Sequence, residues 1–302
     1  MTENTKNISL FQAWWLAIRP KTLPAALAPV LLGGALAFSM GEFHFWPWLA
    51  SVFIAEMLQI AANLVNDVVD FSRGLDTPAR TGPTRVTEHG LLTARQVWFG
   101  VWVVFGLAAV AGGYLVWLWG WPVALVGIAS ILAALAYTAG PYPLAYIGLG
   151  DIFVLLFFGY AAVGGTVYVM TGSLSEAVWY CATAAGALTV NILVVNNVRD
   201  MESDRDAGRK NIPIVFGRKA AEWEYALMLV LALAVPVILI FRGVAGYWVL
   251  LSWLSIPGGL KLWNKLRSGV SGPALNPLLG QTARHLLLYC VLFSAGLVIG
   301  SL

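Results

Sequence analysis

Apolar residues along this chain come in long, unbroken runs, such as VWVVFGLAAVAGGYLVWLWG from Val101 to Gly120. A run of about 20 apolar residues matches a helix that crosses a hydrocarbon layer, whereas a membrane barrel would read as short alternating segments. Such runs predict nine spans, near 22–40, 47–69, 97–117, 121–138, 149–171, 177–197, 223–241, 246–263 and 285–302. The expected fold is all-α, a polytopic membrane protein with nine transmembrane helices, organised as a single domain over 1–302. Polar residues gather in two segments, near 71–96 and 198–222, which are long and carry both signs of charge. The other connections are short and nearly uncharged, apart from a basic 264–284 loop.

Composition narrows the class. Of 302 residues, 59% are hydrophobic and 11% charged, and the mean hydropathy is +0.78. Soluble domains carry about 25% charged residues. The balance excludes a water-soluble globule, a disordered chain and a nucleic-acid binder, and it makes the lipid bilayer the first partner. Cys181 and Cys290 lie inside apolar runs without CxxC or metal spacing, so they read as buried, inert thiols. The start, MTENTKNISLFQAWWLAIRPKT, lacks the basic opening and small-residue cleavage site of a signal peptide.

The charges add orientation. Of the 18 Lys and Arg residues, 17 fall on one side of the nine-span topology and only Arg242 on the other. Basic residues favour the cytoplasm, so the N-terminus and both polar segments are expected there, in a cell or inner membrane. Trp46, Trp48, Trp119, Trp121 and Trp248 sit near span ends on the opposite side, as an aromatic belt would. The two polar segments are then expected to cap an active site facing the cytoplasm.

The ends of the second and sixth spans carry the chemistry. Asn63, Asn66, Asp67 and Asp70 are offset by 0, 3, 4 and 7, which places them on one helical face; Gln59 extends the stripe by a turn. Asn196, Asp200 and Asp204 repeat at intervals of four, with Asn197 beside them. Polar groups at the membrane end of a helix are costly and mark functional sites. Clustered carboxylates repel unless cations neutralise them, and hard Asp and Asn oxygens suit Mg²⁺, which binds through carboxylates plus substrate phosphates. Arg73, Arg80, Arg85, Arg199, Arg205, Arg209 and Lys210 lie nearby and suit phosphate oxygens. Acid, Mg²⁺ and base together read as a diphosphate site, and no P-loop is present. A solvated, salt-bridged rim is the plainer reading of either cluster alone; the matching Asn-x-x-x-Asp spacing of the two argues against it. His44, His89 and His285 share no spacing and are assigned no metal.

At these residues the chain resembles the UbiA superfamily of intramembrane prenyltransferases. Asn66, Asp67 and Asp70 match its first N-D-x-x-D motif, and Asp200 and Asp204 its second, D-x-x-x-D. RPKTLPAA (Arg19–Ala26), QIAANLVNDVVDFSRGLDTPARTGPTR (Gln59–Arg85), YIGLGDIFVLLFFG (Tyr146–Gly159) and NNVRDMESDRDAGRKNIPIVFG (Asn196–Gly217) resemble the branch that prenylates 1,4-dihydroxy-2-naphthoate. Departures are Gly74 where a further Asp is common, and Gly208-Arg209-Lys210-Asn211-Ile212 where that branch reads G-K-x-T-L. Other branches place a Lys or Arg after a Tyr in the loop between the fourth and fifth spans; Tyr137, Tyr142 and Tyr146 here have no basic neighbour.

The resemblance implies a bundle around a central cavity and Mg²⁺-dependent transfer of a prenyl group from a polyprenyl diphosphate to a dihydroxynaphthoate. Diphosphate and carbon dioxide would leave, giving a demethylmenaquinone-type product. Asn66, Asp70, Asp200 and Asp204 are the expected Mg²⁺ ligands, with Asp67 beside them as a catalytic group. Asn63, Asn197, Arg73, Arg80, Arg85, Arg205, Arg209 and Lys210 are expected to bind substrate. Tyr137 would stabilise the allylic cation through its ring face, with Tyr142, Tyr146, Phe153 and Phe157 as further candidates, although each aromatic also has the reading of ordinary packing. Arg19 and Lys21 are expected to meet the acceptor carboxylate, unless they serve only the positive-inside rule. Asp151, the only acid between Glu88 and Glu176, is expected to orient or deprotonate the acceptor hydroxyl. Other acceptors, such as 4-hydroxybenzoate or homogentisate, are the alternative within the superfamily, and a transporter is the alternative outside it.

Overall fold

The computed structural model describes residues 8–74, 85–140 and 143–302. Among them every regular element is helical: α1 (Leu10–Ile18), α2 (Pro24–Ser39), α3 (Phe45–Ser72), α4 (Ala94–Trp119), α5 (Trp121–Ala136), α6 (Gly150–Val154), α7 (Gly165–Thr171), α8 (Glu176–Arg199), α9 (Met201–Asp206), α10 (Ile212–Val215), α11 (Arg218–Phe241), α12 (Ile256–Arg267) and α13 (Asn276–Ser301). A π-helical stretch, Leu155–Gly164, joins α6 to α7 in one rod, Gly150–Thr171.

Among the described residues, six helical segments are long and apolar enough to cross a bilayer: α3, α4, the α6–α7 rod, α8, α11, and Gly272–Ser301, which contains α13. Leu10–Thr22 and Pro24–Ser39 pass the same test together as a pair bent by 52°, which brings the number to seven. Two sequence-expected spans take other forms. Residues 121–138 fold mainly as the 16-residue α5, and 246–263 divide between a 3₁₀ stretch (Tyr247–Ser255) and α12.

The helix starts follow local chemistry. Ser9 and Gln12 form a capping box on α1, and Thr93 and Gln96 form one on α4, each satisfying the free N–H groups of a first turn. The bend between α1 and α2 is set by Pro20 and Pro24, with Arg19 in the left-handed region at φ 55°. Asn63 of α3 fixes that bend, donating from Nδ2 to the Ile18 carbonyl and the Thr22 hydroxyl, both at 2.9 Å.

α8 runs through the centre, packed against the α6–α7 rod, α11 and α13. It approaches the rod closely at Gly159 and Gly186, where a Cβ on Gly159 would stand 2.6 Å from the Ala182 carbonyl oxygen. Small residues permit such backbone approach in lipid, where packing and not water exclusion holds helices together. The closeness brings the end of α8, with the second acidic motif, toward the start of the rod at Asp151. α3 packs mainly on α4 and delivers the first motif to the same end of the bundle.

Candidate functional site

The first motif occupies the last turns of α3. Asp67 is buried and its carboxylate is fully engaged: it accepts from the Val86 and Thr87 backbone N–H groups at 3.1 Å each and from the Thr87 hydroxyl at 2.5 Å. Arg19 adds a guanidinium 3.9 Å away. Asp67 therefore pins the returning 85–87 segment against α3. Asp70, one turn on, pairs through Oδ2 with the Arg85 guanidinium. Its Oδ1 is buried without a hydrogen bond, with Arg209 Nη2 at 3.6 Å. The side-chain oxygen of Asn66 accepts from the Thr138 hydroxyl.

The second motif spans the break between α8 and α9. Arg199, buried at the end of α8, donates Nε and Nη2 to the two oxygens of Asp200 at 2.8 and 2.5 Å. It also reaches Asn196 at 2.7 Å and Asn276 at 3.2 Å. Asp204 receives Arg209 Nη1 at 3.0 Å and Asn211 Nδ2 at 3.1 Å. Burial raises the Asp204 carboxyl to about 6; Asp200 and Asp70 push the same way and Arg209 opposes them. Burial by itself would lower Arg209, but Asp204 and Asp70 hold its guanidinium above the ordinary value.

The two motifs meet across a polar cavity of about 110 Å³. Asn66, Asp70, Asp200 and Asp204 line it together with Arg19, Arg85, Arg199 and Arg209. Tyr137, Asp151, Asn196 and Asn197 also stand on its wall. Asn66 and Tyr137 also border a second cavity of about 790 Å³, apolar, walled by α2 to α5, the rod and α8. Phe153 and Phe157 stack at 5.9 Å on its wall. The rod takes its π-helical form in this region, in keeping with the way π geometry recurs at functional sites.

Other expected residues fall elsewhere. Lys21, Arg73, Arg205 and Lys210 are exposed and do not line the polar cavity. Asn63 belongs to the α1–α2 bend, on the border of the apolar cavity. Tyr146 lines neither cavity; the Arg209 and Arg73 guanidinium carbons lie 4.7 and 5.4 Å from its ring centroid. Arg80 and Tyr142 lie outside the described residues. Thr87, Thr138, Asn211 and Asn276 were not singled out by sequence. Asn211 alone carries a local signal, an Asn before Ile-Pro that caps α10. The others bond to residues dozens of positions away or follow no spacing.

Among the described residues no three His, Cys, Asp or Glu side chains converge as a ready-made metal cluster; each acidic group of the motifs faces an arginine instead. The donor set still fits Mg²⁺. It offers three carboxylates and an amide on one cavity, all hard oxygens, and the buried Asp70 Oδ1 accepts no hydrogen bond.

Comparison with known proteins places the geometry. The UbiA prenyltransferase family matches residues 26–271. The 1,4-dihydroxy-2-naphthoate octaprenyltransferase of Escherichia coli (strain K12) is 35% identical over 303 residues, covering 98% of each chain. A UbiA homolog from Aeropyrum pernix K1, solved in its apo form, superposes with a TM-score of 0.71 at 18% identity, covering 92% of this chain and 98% of that one. A UbiA homolog from Archaeoglobus fulgidus bound to DMAPP and Mg²⁺ gives a TM-score of 0.63 at 18% identity, with 93% and 99% covered.

Proposed function

The chain belongs to the UbiA prenyltransferase family, and we propose that it transfers a polyprenyl group from polyprenyl diphosphate to 1,4-dihydroxy-2-naphthoate. One observation carries the reading: a polar cavity lined by both aspartate motifs and four arginines shares two wall residues with a large apolar cavity. A substrate with a diphosphate head and a hydrocarbon tail has this division of polarity. The acceptor follows from the naphthoate octaprenyltransferase relative, which aligns over nearly the whole chain.

Asn66, Asp70, Asp200 and Asp204 would hold Mg²⁺ between the head group and the protein. Bound there, the ion would supply neutralisation of charge on the leaving diphosphate. Arg85, Arg199 and Arg209 sit among the same carboxylates and would take phosphate oxygens as the carboxylates turn to the cation. The allylic C1 then lies where the two cavities share Asn66 and Tyr137, and the Tyr137 ring stabilises positive charge there. As the bond from C1 to diphosphate oxygen breaks, with its electron pair going to the diphosphate, C1 bonds to the ring carbon that carries the carboxylate, and that carboxylate leaves as carbon dioxide, returning its bonding pair to the ring. Asp151, with a buried Oδ1 that accepts no hydrogen bond, orients the acceptor hydroxyl, and Arg19 meets its carboxylate. Asp67 acts through position, by holding the 85–87 segment that carries Arg85. Nine spans, a cytoplasmic N-terminus and a cytoplasmic site in the inner membrane complete the reading. Its support is the 17-to-1 sorting of basic residues. Incubating membranes that contain the chain with labelled polyprenyl diphosphate and alternative acceptors tests it. Prenylated naphthoquinol is expected, and prenylated 4-hydroxybenzoate in its place would overturn the acceptor assignment.

A further inference from the structure

The loop that leads into α6, Pro143–Leu149, carries no charge of its own, yet it packs against Arg209, the cation that bridges the two motifs. Arg209 bridges the motifs, reaching Asp204 at 3.0 Å and Asp70 at 3.6 Å, and its Nε is buried without a hydrogen-bond partner. An arginine held between two carboxylates from different helices needs something else to set its height over the cavity. The Tyr146 ring supplies it, with the guanidinium carbon 4.7 Å from the ring centroid. The backbone fixes the same register. Lys210 N–H donates to the Tyr146 carbonyl at 3.0 Å. Gly148, at φ +79°, lets the Lys210 carbonyl come within 2.7 Å of where a Cβ would stand. Arg73, at the end of α3, approaches the same ring at 5.4 Å while donating to the Gly140 carbonyl at 2.7 Å.

We propose that Tyr146 is a positioning residue that holds Arg209 through its aromatic face, so that the free Nε of Arg209 is presented to a phosphate oxygen of the prenyl donor. The resemblance offers Tyr146 as one of several candidates for the allylic cation; its ring is covered by guanidinium groups and lines neither cavity. The inference rests on the diphosphate reading of the site and adds how one arginine of that site is aimed.

The test uses the full chain in detergent with Mg²⁺. It measures the donor KM, the acceptor KM and the binding of inorganic diphosphate. Tyr146→Leu should raise the donor KM and weaken diphosphate binding about tenfold, in the range of one cation–π contact, with the acceptor KM within about twofold. Tyr146→Phe, which keeps the ring face and loses only the hydroxyl's contact with the Arg209 guanidinium, should recover most of the donor KM. In an Arg209→Gln background, Tyr146→Leu should add no further change, since the ring acts only through Arg209; a general folding defect would add to it. Phe behaving as Leu, additive effects in the double variant, or a Leu variant that binds diphosphate normally would each overturn the proposal. A wild-type chain that binds no diphosphate would overturn the proposed function along with it, and the two failures are distinguishable by that control.

Discussion

Asp67 and Asp70 sit three positions apart on one helix and do different work. Spacing put both on a single face, and that was legible. Which of them faces the cavity was not, because the partners of Asp67 arrive from Val86 and Thr87, almost 20 positions away across a polar segment without periodicity. With three hydrogen bonds ending on a buried carboxylate, Asp67→Ala should destabilise the fold by about 2–3 kcal/mol, seen as a lowered Tm in detergent. Asp70→Asn, which leaves the buried Arg85 guanidinium an acceptor, should lower Tm less than Asp67→Ala does and remove Mg²⁺-dependent diphosphate binding. Asp204 gives the site a pH dependence. Its carboxyl, raised to about 6 mainly by burial, is ionised above that value and protonated below it, and only the ionised form binds a metal. The Mg²⁺ concentration for half-maximal diphosphate binding should therefore be flat from pH 8 to 7. It should rise about tenfold per unit below pH 6, as one proton competes with the ion.

At the scale of elements, the acidic helix ends were readable and the devices that aim them were not. RPKTLP signals a break through its prolines, but a left-handed Arg19 has no sequence signature, since non-glycine residues seldom adopt that region. The structure shows what holds it there. Thr22 donates N–H and hydroxyl to the Arg19 carbonyl, both at 2.9 Å, and receives Asn63 at 2.9 Å and Gln59 at 3.3 Å. Thr22→Val removes the hydroxyl from this network and should release Arg19 from the cavity wall. The expected result is a several-fold higher acceptor KM with the donor KM unchanged; an equal rise in both would place Arg19 on the donor side. The π-helical stretch was equally hidden, because LLFFGYAAVG reads as any apolar run. Its geometry emerges only where the rod meets the large cavity. The expected fourth and eighth spans took shorter or divided forms because hydropathy measures apolar length and not backbone type.

For the whole molecule, both aspartate motifs and the arginines that pair with them meet at one end of the bundle, and their spacing at two helix ends was legible in the sequence. The sidedness implied by the sorting of basic residues is open to direct test. Cys181 and Cys290 are fully buried, so a new cysteine can be labelled against little background. His89→Cys, in the exposed turn before α4, should react with an impermeant thiol reagent only from the cytoplasmic side. Tyr247→Cys, exposed beyond the far end of α11, should react only from the opposite side. The reverse pattern would invert the topology. The cavities themselves were beyond the sequence, since they are made by six or more helices whose mutual packing no local pattern encodes. The central claim is that the two aspartate motifs act as one Mg²⁺-diphosphate site serving an aromatic prenylation. Its most direct test is product mass. Membranes containing the chain receive polyprenyl diphosphate, 1,4-dihydroxy-2-naphthoate and Mg²⁺, and so do membranes containing Asp70→Ala or Asp200→Ala. The account predicts a product equal in mass to the acceptor acid plus the prenyl group less carbon dioxide and one hydrogen, formed by the wild-type chain alone. Undiminished product in either variant, or none from the wild-type chain, would contradict it.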